Sequence, residues 1–92
     1  MVSQKVVIRN ATGLHLRPAG ILSKLAMQFS CRITFRFRDA TGNVKSVLGL
    51  LGACVKSGDE IEISCDGQDE EQALAAIVEA VEGGLGEEMT DR

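Results

Sequence analysis

One histidine and one proline occur in the 92 residues. Both lie in the stretch Asn10-Ala11-Thr12-Gly13-Leu14-His15-Leu16-Arg17-Pro18-Ala19. A lone imidazole restricts the chemistry. A general acid/base cycle usually needs a second titratable group, and a nucleophilic triad needs Ser or Cys paired with the histidine. Neither is visible as a motif beside His15. A metal site needs further ligands, yet there is no second histidine, and Cys31, Cys54 and Cys65 lack ligand spacing. What one imidazole can do alone is attack phosphorus and hold the phosphoryl group. Thr12-Gly13 carries turn chemistry and Pro18 suits the first turn of a helix, so His15 is expected at a helix mouth. Unpaired N–H groups and the positive end of the helix dipole would meet negative charge there. Arg17 adds a cation suited to phosphate, and Thr12 a hydroxyl. The same spacing fits a structural or capping histidine, and the residues alone leave both readings open.

The elements that must position this loop are legible as periodicities. Gln4 to Arg9 puts Val6 and Ile8 on one side of a strand. From about Leu16 to Phe29, Leu22, Leu25, Ala26 and Phe29 form a helical stripe. Leu16, Gly20, Ser23, Lys24 and Met27 line up on another face, beside His15. That face reads equally as a second packing contact or as a docking surface. Arg32 to Arg38 alternates Ile33, Phe35 and Phe37 with polar residues. Asp39 to Gly42 reads as a turn and Asn43-Val44-Lys45 as a short returning strand. Ser46 is a good N-cap for one or two helical turns over Val47 to Gly52, which leaves Leu48 and Leu51 near the surface. Glu60 to Cys65 alternates again, with Glu60 and Glu62 placed to face the arginines at 32 to 38. Asp69 with Gln72 reads as a capping box for a last helix, whose stripe is Leu74, Ile77, Val78 and Val81 and whose stop is Gly83-Gly84. A sheet with one polar face sends every helix to the other, so the order predicts a two-layer α+β sandwich.

Length allows one domain over residues 1 to 92, with the acidic stretch from about Gly86 to Arg92 expected to be mobile. No apolar run is long enough to cross a bilayer, and the N-terminus reads as a strand and not as a signal peptide. Three widely spaced cysteines favour reduced structural thiols, and the expected location is cytoplasmic. A net charge of −3, with no Trp or Tyr, argues against nucleic acid as a partner.

The stretch Thr12 to Ala19 resembles the active-site signature of HPr, the histidine-containing phosphocarrier family of the bacterial phosphoenolpyruvate-dependent sugar phosphotransferase system. Val44 to Gly49 is similar to that family's regulatory serine segment. Lys56 to Ile61 and Asp66 to Glu70 resemble its last strand and the start of its last helix. The likeness runs from about residue 2 to 85. It implies an HPr-like open-faced β-sandwich, βαββαβα, with a four-stranded antiparallel sheet in the order 1-4-2-3 and three helices on one face.

By the same resemblance the protein is a carrier in a relay and not an enzyme, with no cofactor or metal. His15 would take a phosphoryl group on Nδ1 from phosphorylated enzyme I and pass it to sugar-specific IIA domains, Arg17 balancing its charge. Ser46 would be the target of HPr kinase/phosphorylase, against the plainer reading of an N-cap. Leu16, Gly20, Lys24, Met27, Leu48 and Leu51 map onto the docking face of a monomer. Leu16 and Gly20 depart from the small residue and the alanine usual there, whereas Gly49 resembles the kinase-regulated branch. The alternative is a regulatory or nitrogen-branch relative that uses His15 without feeding sugar uptake.

Overall fold

Alternating side chains with one apolar side can be buried only if several strands share that side, and three of the four strands here do. The computed structural model describes residues 1–86. It contains β1 (Val2–Val7), α1 (Leu16–Ala26), β2 (Arg32–Phe37), β3 (Ala40–Asn43), α2 (Val47–Gly52), β4 (Glu60–Asp66) and α3 (Glu70–Glu82). The strands form one antiparallel sheet in the order β1-β4-β2-β3, covered on one face by the three helices. The expected α+β sandwich is therefore the observed fold. Of the stretch read as a mobile tail, residues 87–92 lie outside the described residues.

Val6, Ile8, Ile33, Phe35, Ile61, Ile63 and Cys65 are buried on the covered face and meet Leu22 and Ala26 of α1, Leu50 of α2 and Ala73, Ile77 and Val81 of α3. Each large aliphatic so buried contributes about 1.5–3 kcal/mol of transfer free energy. On the open face the expected cross-strand pairing occurs once, as Arg36 Nη2 to Glu62 Oε1 at 3.3 Å.

Several boundaries differ from the periodicity, each for a local reason. β1 is assigned from Val2 to Val7, and Ile8 then pairs with the 58–59 turn, donating to Asp59 O (2.8 Å) and accepting from Gly58 N–H (2.7 Å). α1 stops at Ala26 and not near Phe29, because Gln28 and Phe29 donate back only three residues, to Leu25 O and Ala26 O. β3 occupies Ala40–Asn43 and not 43–45, so that Ala40 to Gly42, expected in the turn, lie in the strand, since the hairpin closes through Arg38 and Asp39 alone. Arg38 takes the left-handed conformation (φ 56°) that such a two-residue loop requires. Within β3, Gly42 pairs with Phe35 and leaves room for its ring, since a Cβ there would lie 2.7 Å from it. Ser23, placed by spacing on the same face of α1 as Leu16 and Met27, is buried, and its hydroxyl donates to Lys45 O at 2.7 Å. Lys45 Nζ in turn donates to Phe29 O at 2.7 Å, tying the approach to α2 onto α1. In α3 the inner stripe is Ala73, Ile77 and Val81, with Leu74 and Val78 at its half-buried margin.

The capping box does not form. Asp69 occupies the N-cap of α3 without a side-chain bond to that helix. Its carboxylate instead accepts the N–H groups of Ser30 and Cys31, both at 2.9 Å, and so ties α3 to the start of β2. The Ser30 N–H is the main influence holding the Asp69 carboxyl below its ordinary value of 3.8, followed by the Cys31 thiol and N–H. A depressed folded-state value means that this tie stabilises the fold fully above the unfolded value and is lost as pH falls through the folded one. Stability is thus expected to decline as pH drops below about 4. Asp69→Asn keeps an acceptor for only one of the two N–H groups, and should both lower stability at neutral pH and flatten the acid slope. Denaturant unfolding of both proteins between pH 7 and 3 checks this. Part of the slope should survive, since Gly67 N–H and the chain's N-terminal ammonium also hold the Glu70 carboxyl down.

Candidate functional site

The loop after β1 is built on a side chain that periodicity does not single out. Asn10 is fully buried, and its Nδ2 donates to Gly13 O at 2.6 Å while Gly13 N–H donates to Asn10 O at 3.2 Å. Gly13 takes φ +67°, which turns the chain so that Leu14 enters the core. Leu14 N–H then donates to Val55 O at 3.0 Å. Gly13 passes so close to that second segment that a Cβ would lie 2.7 Å from Val55 O and 2.8 Å from Lys56 Cα. An Asn-x-x-Gly turn with asparagine in place of a solvated loop residue is the sequence signal, and it needs burial to become legible.

His15 follows as the N-cap of α1, at φ −78° and ψ −176°, with its carbonyl accepting from Ala19 N–H at 2.8 Å. Its side chain is exposed and makes no cap hydrogen bond. The N–H groups of Leu16 and Arg17 have no acceptor within the helix, and Pro18 has none to offer. The imidazole therefore stands beside two first-turn donors at the positive end of an 11-residue helix dipole. Nothing acidic occupies that first turn.

A shallow groove of about 340 Å³ opens beside His15, lined by Leu14, His15, Leu16, Leu51, Cys54, Val55 and Lys56. Of the residues singled out from sequence, it brings together His15, Leu16 and Leu51. Arg17 is exposed at the second position of α1, outside the groove. Lys24, Met27 and Leu48 are also exposed, Leu48 to 81 %, and Gly20 is half-buried. With Leu16 at 69 % and Met27 at 67 %, they leave large apolar groups uncovered on α1 and α2, whose helices are in contact. Ser46 is the N-cap of α2, its hydroxyl accepting Gly49 N–H at 3.0 Å. It is half-buried and does not line the groove.

The groove wall missed by sequence reasoning is Cys54, Val55 and Lys56. Cys54 is exposed in the left-handed conformation (φ 57°). Cys31 and Cys65 differ from it, being buried next to one another; burial raises both thiols, that of Cys65 to about 11. Among the described residues no group of three His, Cys, Asp or Glu could hold a metal ion, and no helix is long and apolar enough to cross a membrane. A larger depression, about 520 Å³, lies on the open sheet face around Thr34, Arg36, Thr41, Glu62 and Ser64, remote from the histidine.

Against known proteins, residues 2–83 match the family described as "PTS HPr component phosphorylation site". The chain is 40 % identical over 77 residues to the phosphocarrier protein HPr of Mycoplasma capricolum, covering 84 % of this chain and 86 % of that one. It is 39 % identical over 90 residues to the multiphosphoryl transfer protein of Salmonella typhimurium, covering 95 % of this chain but 24 % of that larger protein. The crystal structure of HPr-C-His from Thermoanaerobacter tengcongensis superimposes with a TM-score of 0.92 at 36 % identity, over 97 % of this chain and all of that one.

Proposed function

From its membership of the HPr family of the phosphotransferase system, whose members are phosphocarrier proteins and not enzymes, we propose that this chain carries a phosphoryl group on His15 from phosphorylated enzyme I to sugar-specific IIA domains. The observation that carries this reading is the exposed, uncapped imidazole at the mouth of α1, beside two first-turn N–H donors. With the ring proton on Nε2, the lone pair on Nδ1 forms a bond to phosphorus. The bond from phosphorus to the donor atom breaks, and its electron pair leaves with the donor. The ring then holds a group of about two negative charges, which the first-turn N–H groups and Arg17 stabilise. Transfer onward is the same step with the carrier as donor. No cofactor takes part.

The apolar groups left open on α1 and α2 supply the surface through which partners dock, with Leu16, Gly20, Lys24, Met27, Leu48 and Leu51 at its centre. Phosphate on Ser46, added by HPr kinase/phosphorylase, would bring about two negative charges beside Leu48 and so weaken that docking without a change of fold. The protein acts as a monomeric single domain in the cytoplasm, where its thiols stay reduced.

Incubation with phosphoenolpyruvate and enzyme I should give one acid-labile phosphoryl group per chain, which a IIA domain then removes. Ser46→Asp, with a single negative charge at that N-cap, should slow uptake while leaving the melting temperature within a few degrees of the parent. Absence of label, or release of the label as inorganic phosphate without passage to any IIA domain, would contradict the assignment.

A further inference from the structure

The groove beside His15 has a second wall, residues 54–56, and that wall carries a charge. We propose that Lys56 is a second cation for the phosphoryl group on His15, reaching it across the groove from the side opposite α1. The inference rests on His15 being the carrier. Lys56 is exposed, lines the groove with His15, and is the only lysine or arginine among the lining residues. Among the described residues no carboxylate lines that groove to neutralise it.

Its place is fixed from both sides. Val55, buried, accepts the Leu14 N–H at 3.0 Å, and Gly13 admits the backbone of Lys56 to within the reach a Cβ would fill. The Lys56 N–H donates to Asp59 Oδ2 at 2.9 Å and its carbonyl accepts the Asp59 N–H at 3.0 Å, so the Asp59 carboxylate is engaged on the backbone of the turn. The ammonium itself makes no hydrogen bond or ion pair among the described residues. A lysine supplies a mobile point charge on a flexible stem, which can follow a phosphoryl group that arrives and leaves. Arg17 approaches from the helix side and Lys56 from the loop side, so the charge on the phosphoryl group is met from two directions.

The test is the equilibrium fraction of phosphorylated carrier at a fixed ratio of phosphoenolpyruvate to pyruvate with enzyme I. It compares the parent with Lys56→Gln, Lys56→Arg and, as a control for net charge, Lys5→Gln on the open sheet face. Lys56→Gln should shift the equilibrium constant about three- to fivefold toward the unphosphorylated form, the worth of an exposed charge pair. The shift should shrink as salt rises. Lys56→Arg should restore most of it, and Lys5→Gln should match the parent. A labelled parent whose constant equals that of Lys56→Gln, or a shift that Lys5→Gln reproduces, overturns the role of Lys56. A parent that takes no label overturns the carrier reading instead.

Discussion

Replacing His15 with serine is expected to abolish phosphoryl uptake while making the protein more stable. The imidazole is exposed and bonds to nothing at the helix start, so its removal leaves no cavity and no orphaned partner. The backbone of residue 15 already has the extended N-cap conformation. A serine hydroxyl there can accept a first-turn N–H, for a gain of about 0.5–1 kcal/mol. The two readouts move in opposite directions: acid-labile phosphate falls to background, and the denaturation midpoint rises. A residue kept where a better cap is available marks a position shaped by function at the expense of local stability. Persistent labelling of His15→Ser would place the acceptor elsewhere. A large loss of stability would show that the imidazole has a structural role instead.

The second large effect concerns one substitution made at two glycines. Gly13→Ala forces an L side chain into φ +67° and aims its Cβ at three backbone atoms of the facing segment, none of which can rotate away. Strain and overpacking together should cost about 2–4 kcal/mol, and any relief must push Val55 and Lys56 away from His15. Phosphoryl uptake should fall with stability. Gly20→Ala, inside α1 with nothing within 4 Å of the new Cβ, should stabilise the protein by about 0.5–1 kcal/mol. Urea unfolding of both variants checks the opposite signs. Equal effects would mean that the close approach of the two segments is not maintained in solution.

What could be read from the chain, and what could not, divides along the range of the interactions. β2 and β4 were legible because Ile33, Phe35, Phe37 and Ile61, Ile63, Cys65 obey a period of two that depends only on neighbours. Ser46 was legible as a cap because its partner, Gly49, is three residues away. Asp69 fits the same local rule in sequence but does not follow it, since its carboxylate accepts from Ser30 and Cys31, 39 and 38 residues distant. Ser23, which helical spacing put on one face with Leu16 and Met27, is likewise turned inward by a distant partner, Lys45 O. At the site itself, His15 was conspicuous by being the only histidine. Its groove partners Cys54 and Lys56 were invisible, because only the pairing of β1 with β4 brings their segment alongside.

That pairing has a consequence for the order of events during synthesis. The histidine and its helix lie in the first third of the chain, but the opposite wall of the groove lies just before β4, the strand that β1 and β2 both need as a neighbour. A nascent chain that has emerged only as far as α2 already displays His15, yet it lacks both the sheet partner that anchors the loop and the segment that faces the imidazole. Closure of this long-range contact belongs to the slow, non-local part of folding. Competence to accept a phosphoryl group should therefore appear late and all at once, so that unfinished chains do not drain phosphate from the relay.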